Sequence, residues 1–185
     1  MTKWVALLRG VNVGGITVKS AELGALFREL GFEGVKTVLA SGNVLFETDE
    51  GGTTAKDAAL KKRIEKGLGE RFGYDAWIVL LEHDRLAGIV EAYPFDETDG
   101  MQPYVVFASD EAVLREITKE AGSLDPEGSG AGTDGGERTA PGTGVLYWEV
   151  TKGSSTDTPF AKYLAKARFK STTTTRNLRT LRKLL

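Results

Sequence analysis

An arginine, an asparagine and several glycines follow one short apolar run near the start of the chain. Residues 4–8 form an apolar run that is typical of a buried strand, and Arg9, Asn12, Gly14 and Gly15 come directly after it. A guanidinium offers a rigid fork of donors to a carboxylate or phosphate, and glycines let the backbone approach a ligand closely. The segment therefore predicts a small-anion site where a strand ends.

The same segment departs from a nucleoside-triphosphate-binding loop. Gly10, Gly15 and Thr17 have the spacing of that loop, but Ile16 stands where the loop needs its lysine. We therefore expect no nucleoside triphosphatase. Two interpretations stay open: backbone N–H groups and the following helix terminus hold an anion, or the glycines only shape a tight connection.

Two further polar sets complete the predicted pocket. Ser41 and Asn43 lie in a turn between two strand candidates, and the turn before the third strand of an antiparallel sheet should lie beside the end of the first. Near the other end of the chain come Thr175, Arg176 and Asn177, expected to complete the pocket across the domain interface. The alternative for Ser41 and Asn43 is turn capping, because both residue types bond to nearby backbone groups.

Composition excludes several kinds of chemistry. The chain has no cysteine and a single histidine, His83, which removes disulfides, thiolate sites, the usual catalytic triads and multi-histidine metal sites. We expect His83, near the start of a helix, to be solvated or to cap that helix. The residues name no reaction, so whether the protein is an enzyme stays open, and they imply no metal and no cofactor.

The charge of the chain is unevenly distributed. The net charge is −2, yet residues 159–185 contain no acid and eight basic residues, which are Lys162, Lys166, Arg168, Lys170, Arg176, Arg179, Arg182 and Lys183. This segment indicates either an anionic partner, nucleic acid included, or an internal dock between acidic and basic halves. Phe160 and Tyr163 fall on an apolar helical stripe, which favours core packing over stacking on bases. No apolar stretch reaches membrane-spanning length and no leader pattern opens the chain, so we expect a cytoplasmic protein that does not contact membranes.

Periodicity predicts the order strand, helix, strand, strand, helix, strand over the first half. This order is typical of an α+β fold, a ferredoxin-like split βαβ with two helices on one face of an antiparallel sheet. Ser20 is the expected N-cap of the first helix, and Gly31 with Phe32 its expected C-terminal stop. We place a domain boundary after residue 96, which gives domains 1–96 and 97–185.

The second half partly repeats the pattern of the first. Residues 104–108 and 145–150 are predicted strands, and residues 122–144, rich in Gly, Ser, Thr and Pro, are predicted to form a flexible loop. Thr158 and Pro159 are the expected start of one helix that carries Phe160, Tyr163, Leu164 and Ala167 on one stripe. A last helix, anchored by Leu178, Leu181 and Leu185, should follow the threonine-rich residues 171–175.

The opening and closing segments resemble a known bacterial family, catalogued as domain of unknown function 1697. The similarity lies in residues 5–15, in Ser41-Gly42-Asn43-Val44, and in Thr174-Thr175-Arg176-Asn177 before an apolar helix. It implies an α+β protein with two related halves, the first ferredoxin-like, in the bacterial cytosol, and no established activity, substrate or cofactor. Ile16 departs from the lysine that often follows the paired glycines in this family.

Together these observations predict an uncharacterised cytosolic protein with a small-anion pocket at the interface between two domains. The alternatives are a structural or interaction protein without a ligand, and a nucleic-acid-binding protein that uses its basic C-terminal segment. The oligomeric state is left open.

Overall fold

A computed structural model describes residues 1–12, 15–124 and 136–185. Its first half contains β1 (Thr2–Arg9), α1 (Ser20–Glu29), β2 (Glu33–Val38), β3 (Asn43–Thr48), α2 (Thr54–Phe72), β4 (Trp77–Glu82) and α3 (His83–Glu91). Its second half contains β5 (Met101–Ala108), α4 (Glu111–Leu124), β6 (Glu137–Gly142), β7 (Val145–Thr151), α5 (Pro159–Leu164), α6 (Ala167–Lys170), β8 (Thr173–Asn177) and α7 (Leu178–Arg182).

The two halves have the same topology, which confirms the α+β fold with two related halves. Each has a four-stranded sheet, in the orders β2-β3-β1-β4 and β6-β7-β5-β8, and each strand pair is antiparallel. In each half the first and third strands are central neighbours, and a helix follows the fourth strand directly. A connection in one half therefore has a counterpart in the other.

Buried aromatic rings hold α1 against the first sheet. Phe27, Phe32 and Phe46 pack with ring centroids 4.6–5.8 Å apart. The helix ends in a Schellman arrangement, because Phe32 N–H donates to Phe27 O and Gly31, at φ +85°, donates to Arg28 O. The predicted stop at Gly31 is correct, whereas the N-cap is Lys19 and Ser20 is already helical.

The second half differs from its prediction at the threonine-rich segment. Residues 173–177 form β8, which pairs with β5, where the sequence analysis expected only a link to the last helix. Threonine is β-branched and fits a pleated strand, so this residue composition was itself the signal. In α7 Leu178 and Leu181 are buried as expected, but the helix ends at Arg182. Beyond it Leu184 is buried, while Leu185, the third expected anchor, is exposed.

The single helix expected after Pro159 is broken into α5 and α6. Phe160 and Phe169 lie nine positions apart, so a straight helix would place them on opposite sides. Lys166 is extended, with φ −57° and ψ 142°, and the break lets both phenylalanines enter one core. Thr158 caps α5 as predicted, accepting a hydrogen bond from Ala161 N–H at 3.3 Å.

The predicted loop 122–144 is wrong at both of its ends. Residues 122–124 close α4 and residues 137–142 form β6, while residues 125–135 lie outside the described part of the chain. β6 is an edge strand, and an edge tolerates the Pro141 and Gly142 that made the segment look like a loop. Its first residue, Glu137, is buried and accepts hydrogen bonds from Trp148 Nε1–H and Phe160 N–H, both at 2.9 Å.

The chain divides into two compact units, residues 1–87 with 183–185 and residues 88–182. This division falls earlier than the boundary placed after residue 96. The reason lies in the contacts of the second unit, where Tyr147 Oη–H donates to Ile89 O at 2.7 Å and Tyr93 packs edge-on against the Tyr147 ring. The end of α3 therefore belongs with the second sheet. Within the described residues, no helix is both long enough and apolar enough to cross a membrane.

We predict that Tyr74→Phe stabilises the protein by about 1 kcal/mol at neutral pH, because the buried Tyr74 hydroxyl meets no hydrogen-bond partner in the described part of the chain. Burial raises the pKa of Tyr74 to about 12. Since the unfolded phenol ionises near its usual value of about 10, wild-type stability should fall as pH rises from about 10 to 12, and the variant should lack that part of the fall.

Urea unfolding of both proteins between pH 7 and 12 measures this effect. Tyr147→Phe is the matched control, because its hydroxyl has a partner and its loss should destabilise the protein. A Tyr74→Phe variant as destabilised as the control would contradict the prediction.

Candidate anion site

Arg9 ends β1 and carries a partly buried guanidinium. Its Nε atom is buried and meets no hydrogen-bond acceptor among the described residues. Burial lowers the pKa of Arg9 from its usual value, but an arginine remains protonated at neutral pH. The group is therefore a partly desolvated positive charge with an unused donor at Nε.

Asn12 ties the loop after β1 to the hairpin turn between β2 and β3. Its Nδ2–H donates to Ala40 O, and its Oδ1 accepts from Val18 N–H at 3.0 Å. Leu8 N–H in turn donates to Gly42 O at 2.8 Å. The structure therefore brings Arg9 and Asn12 together with the turn that carries Ser41.

The polar side chains of the turn are engaged locally. Asn43 is fully buried, and its Nδ2–H group donates to Val38 O and to Ser41 Oγ, both at 2.8 Å. Asn43 pairs with Leu7, two residues before Arg9, so it projects from the same face of the sheet as Arg9. Asn43 and Ser41 thus perform the turn-capping role that the sequence left open as an alternative.

Two non-glycine residues in the described part of the chain have positive φ, and both lie here. Asn12 has φ +57° and Leu39 has φ +59°, and Leu39 is also exposed. A left-handed conformation is uncommon outside glycine and is strained for leucine, so the surrounding contacts must impose it. Gly10 and Gly15 are left-handed in the same loop, and Gly14 lies outside the described residues.

The three predicted residues near the C terminus belong to the second unit. Arg176 is buried in β8 and donates from Nη1–H to Thr174 Oγ1 at 2.7 Å and to Thr175 O at 3.1 Å. Asn177 accepts a hydrogen bond from Arg179 N–H at 2.9 Å and caps α7. These roles lie within that unit, and a pocket shared with Arg9 stays a prediction.

Trp77 is a neighbour of Arg9 that the sequence analysis did not include in the site. It begins β4 and pairs directly with Arg9 across the β1–β4 ladder. The ammonium of Lys61 on α2 lies 5.4 Å from the centre of its ring. The signal was available in the strand order, because antiparallel pairing places the first residue of β4 beside the last of β1.

The described ranges offer no metal centre as an alternative to this site. These ranges contain no group of three or more His, Asp or Glu side chains that could hold a metal ion. His83 was expected to be solvated or capping, but its Nε2 is buried without a described partner, and its Nδ1 lies 3.7 Å from Asp84 Oδ1. The ring is mostly enclosed, whereas the neighbouring Asp84 side chain is exposed.

The model of a family described as protein of unknown function, DUF1697, matches residues 1–134. The chain belongs to this family. The resemblance to this family is therefore confirmed, and the match includes Arg9, the loop after it and the hairpin turn, while residues 174–177 lie beyond the matched range. The family description assigns no activity.

Among solved structures, the chain is similar to a conserved bacterial protein, SP0830, from Streptococcus pneumoniae. The TM-score is 0.74 at 24% sequence identity, and the alignment covers 99% of this chain and 96% of that chain. This DUF1697 chain therefore shares its fold with that protein over nearly its whole length. No curated protein matches the sequence.

Proposed function

We propose that the protein binds a small anion, a phosphate or a carboxylate, through Arg9 in the first unit. The observation that carries the proposal is the buried Nε of Arg9, which has no hydrogen-bond acceptor among the described residues. Leaving a buried donor unpaired costs about 1–3 kcal/mol, and more when the group is charged. An oxyanion that accepts from Nε–H and from one terminal N–H would remove this cost, because the guanidinium fork matches its geometry.

Other enclosed arginines of the chain differ from Arg9 in this respect. Arg138 holds the buried carboxylate of Glu149 through Nε and Nη2, at 2.9 and 2.8 Å from Oε1. Arg176 is hydrogen-bonded to its own strand. The fold therefore supplies hydrogen-bond acceptors to these two guanidinium groups. That Arg9 Nε has no described acceptor supports a ligand as its partner.

A comparison of the two halves supports the same assignment. The first strand and first helix are joined by residues 10–19 in the first half and by residues 109–110 in the second. The hairpin turns are residues 39–42 and residues 143–144. At these two positions the second half has the shorter connections, so the shared topology does not by itself require the longer pair beside Arg9. Binding residues are often carried on loops of this kind.

Local strain concentrates in these two longer connections. Asn12 and Leu39 are left-handed, and the two connections are joined by the Asn12–Ala40 hydrogen bond. The left-handed backbone of Leu39 costs about 1–3 kcal/mol, and strain of this kind often clusters at ligand sites. Asparagine adopts the same conformation at a lower cost. Asn12 and Asn43 are positioning residues here: each fixes the shape of the rim, and Arg9 supplies the charge.

Thermal unfolding with sodium phosphate, acetate or chloride at equal ionic strength tests the proposal. A site at one hundred times its Kd adds about 2.7 kcal/mol, or roughly 5–10 °C in Tm. Phosphate or acetate should raise the Tm of the wild type above the chloride baseline, and Arg9→Gln should remove that rise. Arg71→Gln is the matched control, because Arg71 is paired with Glu29 at 2.6 Å on the surface of the same unit.

Two results would contradict the proposal. If neither anion raises Tm beyond chloride, or if Arg9→Gln keeps the full rise, Arg9 holds no anion. A structural role for Arg9 would appear instead as a lower Tm of Arg9→Gln in chloride alone.

The basic C-terminal segment supports nucleic-acid binding less well. The phenylalanines of this segment, Phe160 and Phe169, are buried in the second core at 1% and 0% exposure and are not available to stack on bases. Two of its arginines are already paired, Arg168 with Glu116 and Arg182 with Glu97. The segment is better explained as part of the second unit.

A further inference from the structure

The residue that faces Arg9 across the first sheet is aromatic. Trp77 and Arg9 are direct partners in the β1–β4 register, so their side chains leave the same face of the sheet. Cβ atoms of such partners lie about 4.5–5.5 Å apart. An anion held by Arg9 would therefore lie on the same face of the sheet as the indole.

Trp77 also differs from the other two tryptophans of the chain. Trp4 and Trp148 are 2% and 3% exposed and belong to the two cores, whereas Trp77 is partly exposed. Its position is fixed from α2, where Lys61 lies over the ring and also within 3.7 Å of Glu65 Oε1. Glu65 in turn accepts from Ile78 N–H at 3.1 Å, which anchors α2 to the start of β4.

We infer that the anion bound at Arg9 carries a planar ring, and that this ring packs against Trp77. The inference rests on the proposed function and extends it from the charge of the ligand to its shape. Aromatic carboxylates and nucleoside monophosphates both join an anionic group to a flat ring. Stacking of that ring on an indole favours the planar ligand over a non-planar one of equal charge.

Matched pairs of ligands separate the ring from the charge. Benzoate is compared with cyclohexanecarboxylate, and adenosine 5′-monophosphate with ribose 5-phosphate, by calorimetric titration. We expect the planar member of at least one pair to bind about tenfold more tightly, since contacts of this kind contribute about 1.4 kcal/mol. The pair that shows the preference identifies the anionic group of the ligand as a carboxylate or a phosphate.

Two variants at Trp77 assign the preference to the indole. Trp77→Leu should abolish the tenfold preference for the planar ligand, while Trp77→Phe should keep most of it. Acrylamide, a neutral quencher, gives a second readout, because it reaches the part-exposed Trp77 far more readily than the buried Trp4 and Trp148. The planar ligand should lower this quenching in the wild type.

Failure of this inference is distinguishable from failure of the proposed function. Arg9-dependent binding with equal affinity within both pairs overturns the planar ring and leaves the anion site intact. A preference that survives in Trp77→Leu also overturns it. If no ligand binds in an Arg9-dependent way, both proposals are rejected.

Discussion

The Glu137→Ala variant is expected to lose about 3 kcal/mol of unfolding free energy. This is the largest loss that we predict for a side chain of the second unit. Glu137 is 2% exposed, and its two oxygens accept from different elements. Oε2 accepts from Trp148 Nε1–H on β7, and Oε1 accepts from Phe160 N–H in the first turn of α5. Alanine would leave both buried donors without these acceptors, each at a cost of about 1–3 kcal/mol.

Urea unfolding followed by circular dichroism measures the loss, and two variants calibrate it. Glu137→Gln keeps the shape and can still accept from one donor, so it should lose less than alanine does. Thr158→Ala removes only the side-chain cap of the same helix and should cost about 1 kcal/mol. A Glu137→Ala loss no larger than that of Thr158→Ala would show that the carboxylate does not hold α5 to the sheet.

Glu137 also illustrates why part of the second half could not be predicted from sequence. Charged residues are seldom buried, and Glu137 stands in a stretch rich in Gly, Thr and Pro, so local composition favoured a loop. What makes β6 a strand is distant: its pairing with β7 and the donors on Trp148 and Phe160. Such long-range partners leave no periodic signal.

The second helix in the predicted order of elements has a strong local signal. Leu60, Ile64 and Leu68 repeat every four residues and are all buried along α2, which ends at Gly73 in the left-handed conformation. The break between α5 and α6 shows the limit of this reasoning. Local periodicity allows one helix there, and only the shared core of Phe160 and Phe169 requires two.

The candidate site was predictable in its location and less so in its details. Strand order alone places the end of β1 beside the turn before β3, and the Leu8–Gly42 hydrogen bond confirms that neighbourhood. Only the structure shows which of these polar side chains bonds to its own turn and which has no described partner. Asn43 is used by its own turn, while Arg9 keeps a buried Nε without a described partner. Residue types alone do not distinguish an engaged polar group from an unengaged one.

Gly42→Ala is expected to destabilise the first unit by about 3 kcal/mol and to weaken anion binding at Arg9. Gly42 has φ +75°, which costs an alanine about 1–2 kcal/mol. A Cβ there would lie 2.7 Å from Val11 Cγ2 and 2.9 Å from Leu8 Cβ, closer than carbon atoms pack, and such overpacking costs about 1–3 kcal/mol more.

Gly31→Ala separates the two causes, because Gly31 is also left-handed, at φ +85°, but a Cβ there meets nothing within 4 Å. It should lose only the conformational part, about 1–2 kcal/mol, and should bind phosphate or acetate as the wild type does. Leu8 directly precedes Arg9 and Val11 directly precedes Asn12 in sequence, so we expect relief of the overlap at Gly42 to move the loop that shapes the site. Equal losses of stability in the two variants, with unchanged binding in both, would mean that the close contact between loop and turn contributes nothing to the site.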